Sequence, residues 1–295
     1  MAVENQAPGK DVTISDLESK FPLAARTPSR QSSSFKVNGI EFGGDTIPVF
    51  AGPNMVESED LIVDIARFLV SQGVSFLRGG AFKPLSFPYR SSSYTETRED
   101  GLNWLKTAKE ETGISIITEI MHPAYLDKID FVDIIQIGAR NMQNYPFLQE
   151  CARTGKPIML KRHFGSSLRD FLGAAEYILC EGNPNIVLCE RGVVAPHTHR
   201  STSRFLLDLQ AVPALHELTH LPVAVDPSHA CFWRPWVSDL SLASVAVGAD
   251  ALMLEVHPDP PNAAVDPLQA IDYFEFSTLK PKLQSIASIL GKNVR

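Results

Sequence analysis

Short apolar runs recur along the whole chain, and amphipathic segments fill the intervals between them. Each run is three to five residues long and is apolar at nearly every position, instead of alternating with polar residues. Continuous short runs of this kind are typical of parallel strands that are buried on both faces. The eight runs are Ile47–Ala51, Ser75–Leu77, Ile114–Thr118, Ile134–Ile137, Ile158–Leu160, Ile186–Cys189, Val223–Val225 and Ala251–Leu254.

The segments between the runs have the periodicity of helices. From Ser58 to Gln72, apolar residues fall on one stripe, and Ser58 is placed to cap the helix. Ser167 to Cys180 has a similar pattern. Strands that alternate with helices over roughly 250 residues predict an α/β fold, a (β/α)8 TIM barrel. A doubly wound open sheet is the competing fold, but no Gly-x-Gly-x-x-Gly motif opens a helix.

The two ends of the chain differ from the middle. We expect residues 1–34 to form a polar, partly disordered N-terminal arm and residues 35–295 to form the barrel. The arm is followed by apolar Phe35 and Val37, then Asn38-Gly39, then Ile40 and Phe42, which predicts a β-hairpin with a type I′ turn. Such a hairpin would plug the bottom of the barrel. The run Pro267–Leu290 predicts one or two closing helices.

Composition narrows the class of protein. The chain has 295 residues, 44% of them hydrophobic, and a formal net charge of −7, which is unfavourable for general nucleic-acid binding. Its four cysteines are far apart and form no Cys-x-x-Cys motif, so neither a zinc knuckle nor a disulfide framework is expected. The chain contains no run of about 18 uncharged apolar residues, so no membrane span is predicted. We therefore expect a cytoplasmic enzyme.

Charged residues recur where the apolar runs end. They are Arg78, Glu119, Lys161, Glu190, Asp226 and Glu255. Because barrel active sites lie at the carboxyl ends of the strands, these side chains are predicted to surround one pocket.

Four basic groups lie at or just after the predicted strand ends, and they indicate the chemistry of the ligand. Singly, each could be a solvated loop charge or part of a salt bridge. Their recurrence in phase with the strands instead predicts a compact, highly anionic ligand such as a phosphorylated carboxylate. The groups are Arg78 with Lys83, Arg140, Lys161 with Arg162, and Arg191.

A second constellation combines imidazoles with carboxylates: His229, Glu255, His257 and Asp266. This donor set suits a borderline divalent cation such as Mn²⁺, Fe²⁺ or Zn²⁺. The alternative is that Asp226-Pro-Ser-His229 and Glu255-Val-His-Pro258 are structural turns whose histidines bind backbone groups.

Several longer motifs resemble those of one enzyme family, the 3-deoxy-D-arabino-heptulosonate 7-phosphate (DAHP) synthases. The likeness is to the type I beta group, related to 3-deoxy-octulosonate 8-phosphate synthase, and it spans about residues 35 to 275. The matching segments are Ala51-Gly-Pro-Asn-Met-Val-Glu-Ser58, Arg78-Gly-Gly-Ala-Phe-Lys-Pro84, Gln136-Ile-Gly-Ala-Arg-Asn-Met-Gln-Asn144, Leu160-Lys-Arg162, Ala174-Ala-Glu-Tyr-Ile178, Gly182-Asn-Pro184, Leu188-Cys-Glu-Arg-Gly192, Asp226-Pro-Ser-His229 and Glu255-Val-His-Pro258.

The resemblance implies a TIM-barrel transferase that condenses phosphoenolpyruvate with an aldose phosphate and releases inorganic phosphate. By position, Arg140, Lys161 and Arg191 would hold phosphoenolpyruvate, and Arg78 and Lys83 would bind substrate near the carboxylate and the aldehyde. Lys83 is the candidate for protonating the developing alkoxide. The remaining candidates are His229 and Asn54 as catalytic residues, and Arg162, Asp226, Ser86 and Arg90 as substrate-binding residues.

One departure from the family concerns the metal. The family has a cysteine as its first ligand, and this chain has Asn54 there, while His229, Glu255 and Asp266 keep the other three positions. A neutral amide is a far poorer ligand than a thiolate for a borderline metal. We therefore expect activity without a required cofactor, together with weak or vestigial binding of Mn²⁺ or a similar ion.

Other departures concern the acceptor. Leu85 stands where the family has the arginine that binds the erythrose 4-phosphate phosphate, and Arg90 with Ser91 to Ser93 is a possible replacement. His163 replaces a usual glycine, and the stretches Val193–Arg204 and Cys231–Trp236 are rebuilt.

These departures leave two alternatives to the function that the resemblance implies. Erythrose 4-phosphate is the default acceptor, and a different aldehyde in specialised metabolism is one alternative. A catalytically silent homologue with a binding role is another. The family likeness also leads us to expect a homo-oligomer.

Overall fold

The computed structural model describes residues 19–82, 96–196, 199–200 and 205–295. The strands, in chain order, are β1 (Phe35–Val37), β2 (Ile40–Phe42), β3 (Thr46–Ile47), β4 (Val49–Gly52), β5 (Phe76–Arg78), β6 (Ser115–Glu119), β7 (Ile134–Ile137), β8 (Ile158–Lys161), β9 (Ile186–Glu190), β10 (Val193–Val194), β11 (Phe205–Leu206), β12 (Val223–Val225), β13 (Ala251–Glu255) and β14 (Asn293–Val294).

Eight of these strands close into a parallel barrel in the order β4, β5, β6, β7, β8, β9, β12, β13. Closure is made by β13 against β4, where Leu254 pairs with Ala51 and Glu255 with Gly52. Every residue of these eight strands is buried, as the continuous apolar runs require. The predicted (β/α)8 barrel is therefore confirmed.

Helices connect the barrel strands and cover their outer surface. They are α1 (Glu59–Ser71), α2 (Arg98–Thr112), α3 (Tyr145–Arg153), α4 (Leu168–Cys180), α5 (Ala211–Leu218), α6 (Pro227–Cys231), α7 (Arg234–Ala246) and α8 (Tyr273–Ile289). In the described part of the chain, none is long and apolar enough to span a membrane.

The first helix begins where the sequence predicts. The Ser58 side chain accepts a hydrogen bond from the Leu61 backbone amide at 3.3 Å and so caps α1. Helix α4 begins with a capping box, in which Ser167 and Asp170 each accept a hydrogen bond from the other's backbone amide. These caps fix where the chain turns from the mouth of the barrel back along its outside.

The predicted hairpin is present and plugs the amino-terminal end of the barrel. Asn38 and Gly39 have φ angles of 48° and 82°, as a type I′ turn requires. Val37 and Phe42 pack with the inward-facing residues of the barrel strands, including Phe50 and Phe76. The ring of Phe42 lies 5.7 Å from that of Phe50 and 5.4 Å from that of Phe76.

The described part of the amino-terminal segment also contacts the barrel. The backbone amides of Leu23 and Ala24 donate to the Glu176 carboxylate at 2.9 and 2.8 Å, and the Thr219 hydroxyl donates to the Ala24 carbonyl at 2.5 Å. Ala24 and Ala25 are buried. Residues 1–18 lie outside the described residues, and the predicted division at residue 34 stays a prediction.

The closing segment contains α8, as predicted, followed by β14, which pairs in parallel with β3. All four cysteines are free, in line with the expectation from their spacing.

We expect Phe42→Ala to lower the free energy of unfolding by about 3–5 kcal/mol, because it removes a fully buried ring and leaves a cavity at the bottom of the barrel. Denaturant unfolding followed by tryptophan fluorescence measures the change. Phe274→Ala is the matched control, because the Phe274 side chain is 80% exposed. Equal effects from the two substitutions would contradict the hairpin's role as a plug.

Candidate active site

The charged residues selected from the sequence do meet at one end of the barrel. Arg78, Glu119, Lys161, Glu190 and Glu255 are the last residues of their strands, and Asp226 directly follows β12. All six are buried, although they are ionisable. Buried charges are maintained only with partners or a ligand, so this end of the barrel is the candidate active site.

Arg78 lies at the centre of one group of polar side chains. Its Nη2 donates to Asn54 Oδ1 at 2.9 Å and lies 3.2 Å from His229 Nε2, and its Nη1 lies 3.9 Å from Glu255 Oε2. Asn54 in turn donates through Nδ2 to the Asp266 carboxylate. Gly52 permits this meeting, because a Cβ on it would come within 2.1 Å of the Arg78 carbonyl oxygen.

His229, Glu255 and Asp266 offer ligand atoms that all lie within 4.8 Å of one another, so these three residues fit a divalent cation. The fourth position does not complete the set. The amide nitrogen of Asn54 is directed at Asp266 as a hydrogen-bond donor, and its oxygen already accepts from Arg78. The arrangement fits a divalent-metal site with three protein ligands.

His257 does not join this group, which corrects the four-residue constellation considered from the sequence. Its Nε2 lies 3.4 Å from Glu57 Oε1, and its Nδ1 accepts from the Asp259 backbone amide at 3.0 Å. The side chain therefore braces the loop that follows β13.

Asp226 connects the histidine to Lys161. Its carboxylate accepts from Lys161 Nζ at 2.5 Å and lies 2.8 Å from His229 Nδ1. Burial acts to raise the pKa of Asp226, but His229 and Lys161 together hold that pKa well below its usual range. Asp226 is therefore ionised and fixes the orientation of both partners.

The His229 imidazole is neutral in this setting. Burial lowers its pKa well below the ordinary value, and the charges of Lys161 and Arg78 lower it further, although Asp226 acts in the opposite direction. With Nδ1 donating to Asp226, the lone pair of Nε2 faces Arg78 and Glu255. In this structure that lone pair accepts from Arg78 Nη2 at 3.2 Å, and a neutral ring of this form can also bind a metal or accept a proton when the contact is given up.

Two buried guanidinium groups have donor capacity to spare. Among the described residues, Nη1 of Arg78 and Nη1 of Arg191 are buried and have no hydrogen-bond acceptor. Burial lowers the pKa of Arg191, and repulsion from Arg140 adds to this effect, although Asp226 and Glu190 oppose it. Buried donors without acceptors are costly, so an anionic ligand in this pocket would stabilise them.

Arg162 is turned away from this group. Its guanidinium donates to Glu190 at 2.9 Å, to Asp208 at 2.8 Å, and to the Ser166 carbonyl at 3.0 and 3.2 Å. The prediction that Arg162 binds substrate gains no support from these contacts, which instead join the loops after β8 and β9.

Three predicted site residues, Lys83, Ser86 and Arg90, lie outside the described residues, as does Leu85.

The structure also adds partners that the sequence did not suggest. Gln269 donates to Glu255 at 2.5 Å, Gln136 donates to Glu119 at 3.1 Å, and Arg191 lies 4.3 Å over the Phe205 ring. Gln136 was detectable, since it lies on an inward position near the end of a predicted strand. Gln269 comes from a loop and Phe205 from the two-residue strand β11, and no periodic pattern marks either of them.

Comparison with known proteins places this geometry in a family. The sequence profile of the DAHP synthetase I family matches residues 21–292. The phospho-2-dehydro-3-deoxyheptonate aldolase of Thermotoga maritima is 38% identical over 275 residues, which are 93% of this chain and 80% of that protein. The 2-dehydro-3-deoxyphosphooctonate aldolase of Methylococcus capsulatus is 30% identical over 237 residues, which are 74% of this chain and 82% of that protein.

Solved structures agree. The crystal structure of the Thermotoga maritima DAHP synthase has a TM-score of 0.86 at 37% identity and covers 92% of this chain and 78% of that chain. A truncated form of the same synthase has a TM-score of 0.84 at 36% identity and covers 94% of this chain and 100% of that chain.

We expect Asp226→Asn to lower the free energy of unfolding by about 3–5 kcal/mol, because it leaves the buried Lys161 ammonium without its counter-charge. Denaturant titration at neutral pH measures the change. Glu111→Gln is the control, because its ion pair with Arg67 is exposed and removing it costs about 1 kcal/mol or less.

The same substitution has a pH signature. The folded-state pKa of Asp226 lies below the unfolded value of about 3.9, so its stabilising effect is present above that pH and is lost as pH falls through the folded-state pKa. The stability gap between the two proteins should therefore narrow in acid. A gap that stays constant down to acid unfolding would contradict the ionised assignment.

Proposed function

This chain belongs to the DAHP synthetase I family, and we propose that it carries out that family's condensation with erythrose 4-phosphate as the acceptor. The enzyme joins phosphoenolpyruvate to an aldose phosphate, forms a carbon–carbon bond and releases inorganic phosphate. The product is a 3-deoxy-heptulosonate 7-phosphate, and the reaction belongs to the shikimate pathway of aromatic amino acid biosynthesis. The buried guanidinium donors at the mouth of the barrel are the observation that carries the proposal.

We assign the donor substrate to the cations on one side of the barrel. Lys161 ends β8, Arg191 follows β9, and Arg140 lies in the short 3₁₀ helix Ala139–Asn141 after β7. These strands are neighbours, which supports a shared anion site for the phosphate and carboxylate of phosphoenolpyruvate. Arg78, on β5, faces this group across the barrel and would bind the carboxylate near the aldehyde.

In the reaction, carbon 3 of phosphoenolpyruvate attacks the aldehyde, and a water molecule captures the positive charge that develops on carbon 2. Phosphate then leaves with its bridging oxygen. We propose that Lys83 protonates the alkoxide formed from the aldehyde and that the surrounding cations stabilise the developing charge. His229 and Asn54 would position the aldehyde, since both lie against Arg78.

We propose that this reaction needs no bound metal. A divalent ion held by His229, Glu255 and Asp266 would supply Lewis-acid polarisation of the aldehyde. In this chain the Arg78 guanidinium already lies among the same side chains, and the Asn54 amide donates to Asp266. A cation entering this group must compete with these contacts, so binding is expected to be weak.

We propose that Ser86 and Arg90 bind the acceptor phosphate, in place of the arginine that Leu85 replaces. Hydroxyl and guanidinium groups are suitable phosphate donors. We also propose a cytoplasmic location, which the four free cysteines support, and a homo-oligomeric state. Exposed apolar side chains such as Phe274 and Ile289 support the oligomer.

The direct test follows phosphate release from chelator-treated enzyme supplied with phosphoenolpyruvate and erythrose 4-phosphate, with and without added Mn²⁺. We expect turnover in both conditions. Turnover only with Mn²⁺ would refute the metal-free proposal and leave the condensation intact. Binding of phosphoenolpyruvate without turnover would refute erythrose 4-phosphate as the acceptor.

A second test restores the family's ligand. Asn54→Cys should raise the affinity for Zn²⁺ or Co²⁺, because a thiolate joins three preplaced ligands. The gain should be at least ~10- to 100-fold, since changes in residues that only hydrogen-bond to metal ligands already have effects of that size. Isothermal titration calorimetry gives the affinity, and the Co²⁺–thiolate absorption band reports coordination without any activity assay. Asn54→Ser is the control, because serine supplies no thiolate. No gain with cysteine would show that the three residues are not preplaced for a metal.

A further inference from the structure

His163 lies near two of the proposed donor-site cations, Arg140 and Arg191, because the charges of both lower its pKa. It follows Lys161 and Arg162 in the loop after β8. Its backbone amide donates to the Met142 sulfur at 3.1 Å, next to the 3₁₀ helix that carries Arg140. The loop is thereby attached to the neighbouring strand connection.

The other side of His163 is connected to Arg191 through aromatic rings. The imidazole stacks on Phe164 with the centroids 4.2 Å apart, and Phe164 lies 5.1 Å from Phe205. Phe205 in turn carries the Arg191 guanidinium at 4.3 Å. The Val194 amide donates to the Phe164 carbonyl at 2.7 Å and joins β10 to the same loop. The Met142 contact therefore holds the backbone of His163, and the Phe164 stack holds its imidazole.

The hydrogen bonds also define the form of the ring. The Gly165 backbone amide donates to Nδ1 at 3.1 Å, so a neutral His163 carries its proton on Nε2. Among the described residues, none accepts a hydrogen bond from this Nε2–H. Burial lowers the pKa of His163, and the charges of Arg140 and Arg191 lower it further. The free protein therefore holds a neutral imidazole with a spare donor, within the electrostatic influence of Arg140 and Arg191.

We propose that His163 binds the phosphate group of the donor substrate together with Arg140 and Arg191, through its Nε2–H, and that it gains a proton when that dianion binds. The inference rests on the proposed function, because it deepens the description of the same donor site.

The direction of the proton uptake follows from the charges. In the free site, Arg140 and Arg191 oppose protonation of His163, while Arg162, its neighbour in sequence, is neutralised by Glu190 and Asp208. A bound dianion reverses the sign of the local charge and raises the pKa of the ring. The added affinity is therefore present at low pH and is lost as pH rises through the raised pKa of the complex.

Two variants distinguish the three properties of the His163 ring, namely its N–H donor, its ability to gain a proton and its packing on Phe164. His163→Phe keeps an aromatic ring on Phe164 but removes the donor, and His163→Gln keeps an N–H donor but cannot titrate. Phosphoenolpyruvate and inorganic phosphate are the probes, and both are titrated by calorimetry from pH 6 to 8. Repeating each titration in two buffers of different ionisation enthalpy gives the number of protons taken up. The ligand's own phosphate proton contributes equally in all three proteins, so differences between proteins report His163.

We expect His163→Phe to weaken binding of both probes roughly 10-fold near pH 6.5 and to remove the excess proton uptake of the wild type. His163→Gln should lose less affinity but the same proton uptake. Equal affinity and equal proton uptake in all three folded proteins would overturn the inference. Phosphate release from phosphoenolpyruvate by the wild type tests the proposed function separately, so wild-type turnover with unchanged variants refutes only the role of His163.

Discussion

A single buried carboxylate, that of Asp226, determines how the two halves of the site are arranged. It neutralises Lys161 on the anion side and accepts from His229 on the side that resembles a metal centre. Because the group is fully buried, neither partner can exchange it for water without a large loss of solvation. The lysine ammonium and the histidine tautomer are therefore fixed before any ligand arrives, and one carboxylate orients both.

The sequence predicted the frame of this site because the frame depends on local patterns. Buried parallel strands need continuous apolar runs, so the runs located all eight barrel strands, and Asn38-Gly39 located the hairpin. The main error was small and systematic. Five strands extend one residue beyond the apolar run and include the charged residue itself, namely Arg78, Glu119, Lys161, Glu190 and Glu255. The apolar run stops before the charged residue of the candidate site, but the backbone of that residue still belongs to the strand.

The sequence was a much poorer guide to which charged side chains pair with one another within the pocket. Arg162 and Lys161 are adjacent in sequence, yet alternation along the chain directs them to different neighbours: Lys161 to Asp226 inside the barrel and Arg162 to Glu190 and Asp208. His257 was grouped with His229 because both imidazoles suit a metal, but its ring lies against Glu57. Such pairings depend on loop paths, and no periodic pattern encodes them.

The hairpin that fills the amino-terminal end of the barrel also limits the routes by which substrates can reach the site. With Val37 and Phe42 packed among the strand interiors, the described structure offers no passage along the barrel axis. Both substrates, the attacking water and both products must then share the opening at the carboxyl ends of the strands. A ligand beside Lys161 and Asp226 would reach them through that same opening. The hairpin at one end of the barrel thus determines that the site is approached from the other end.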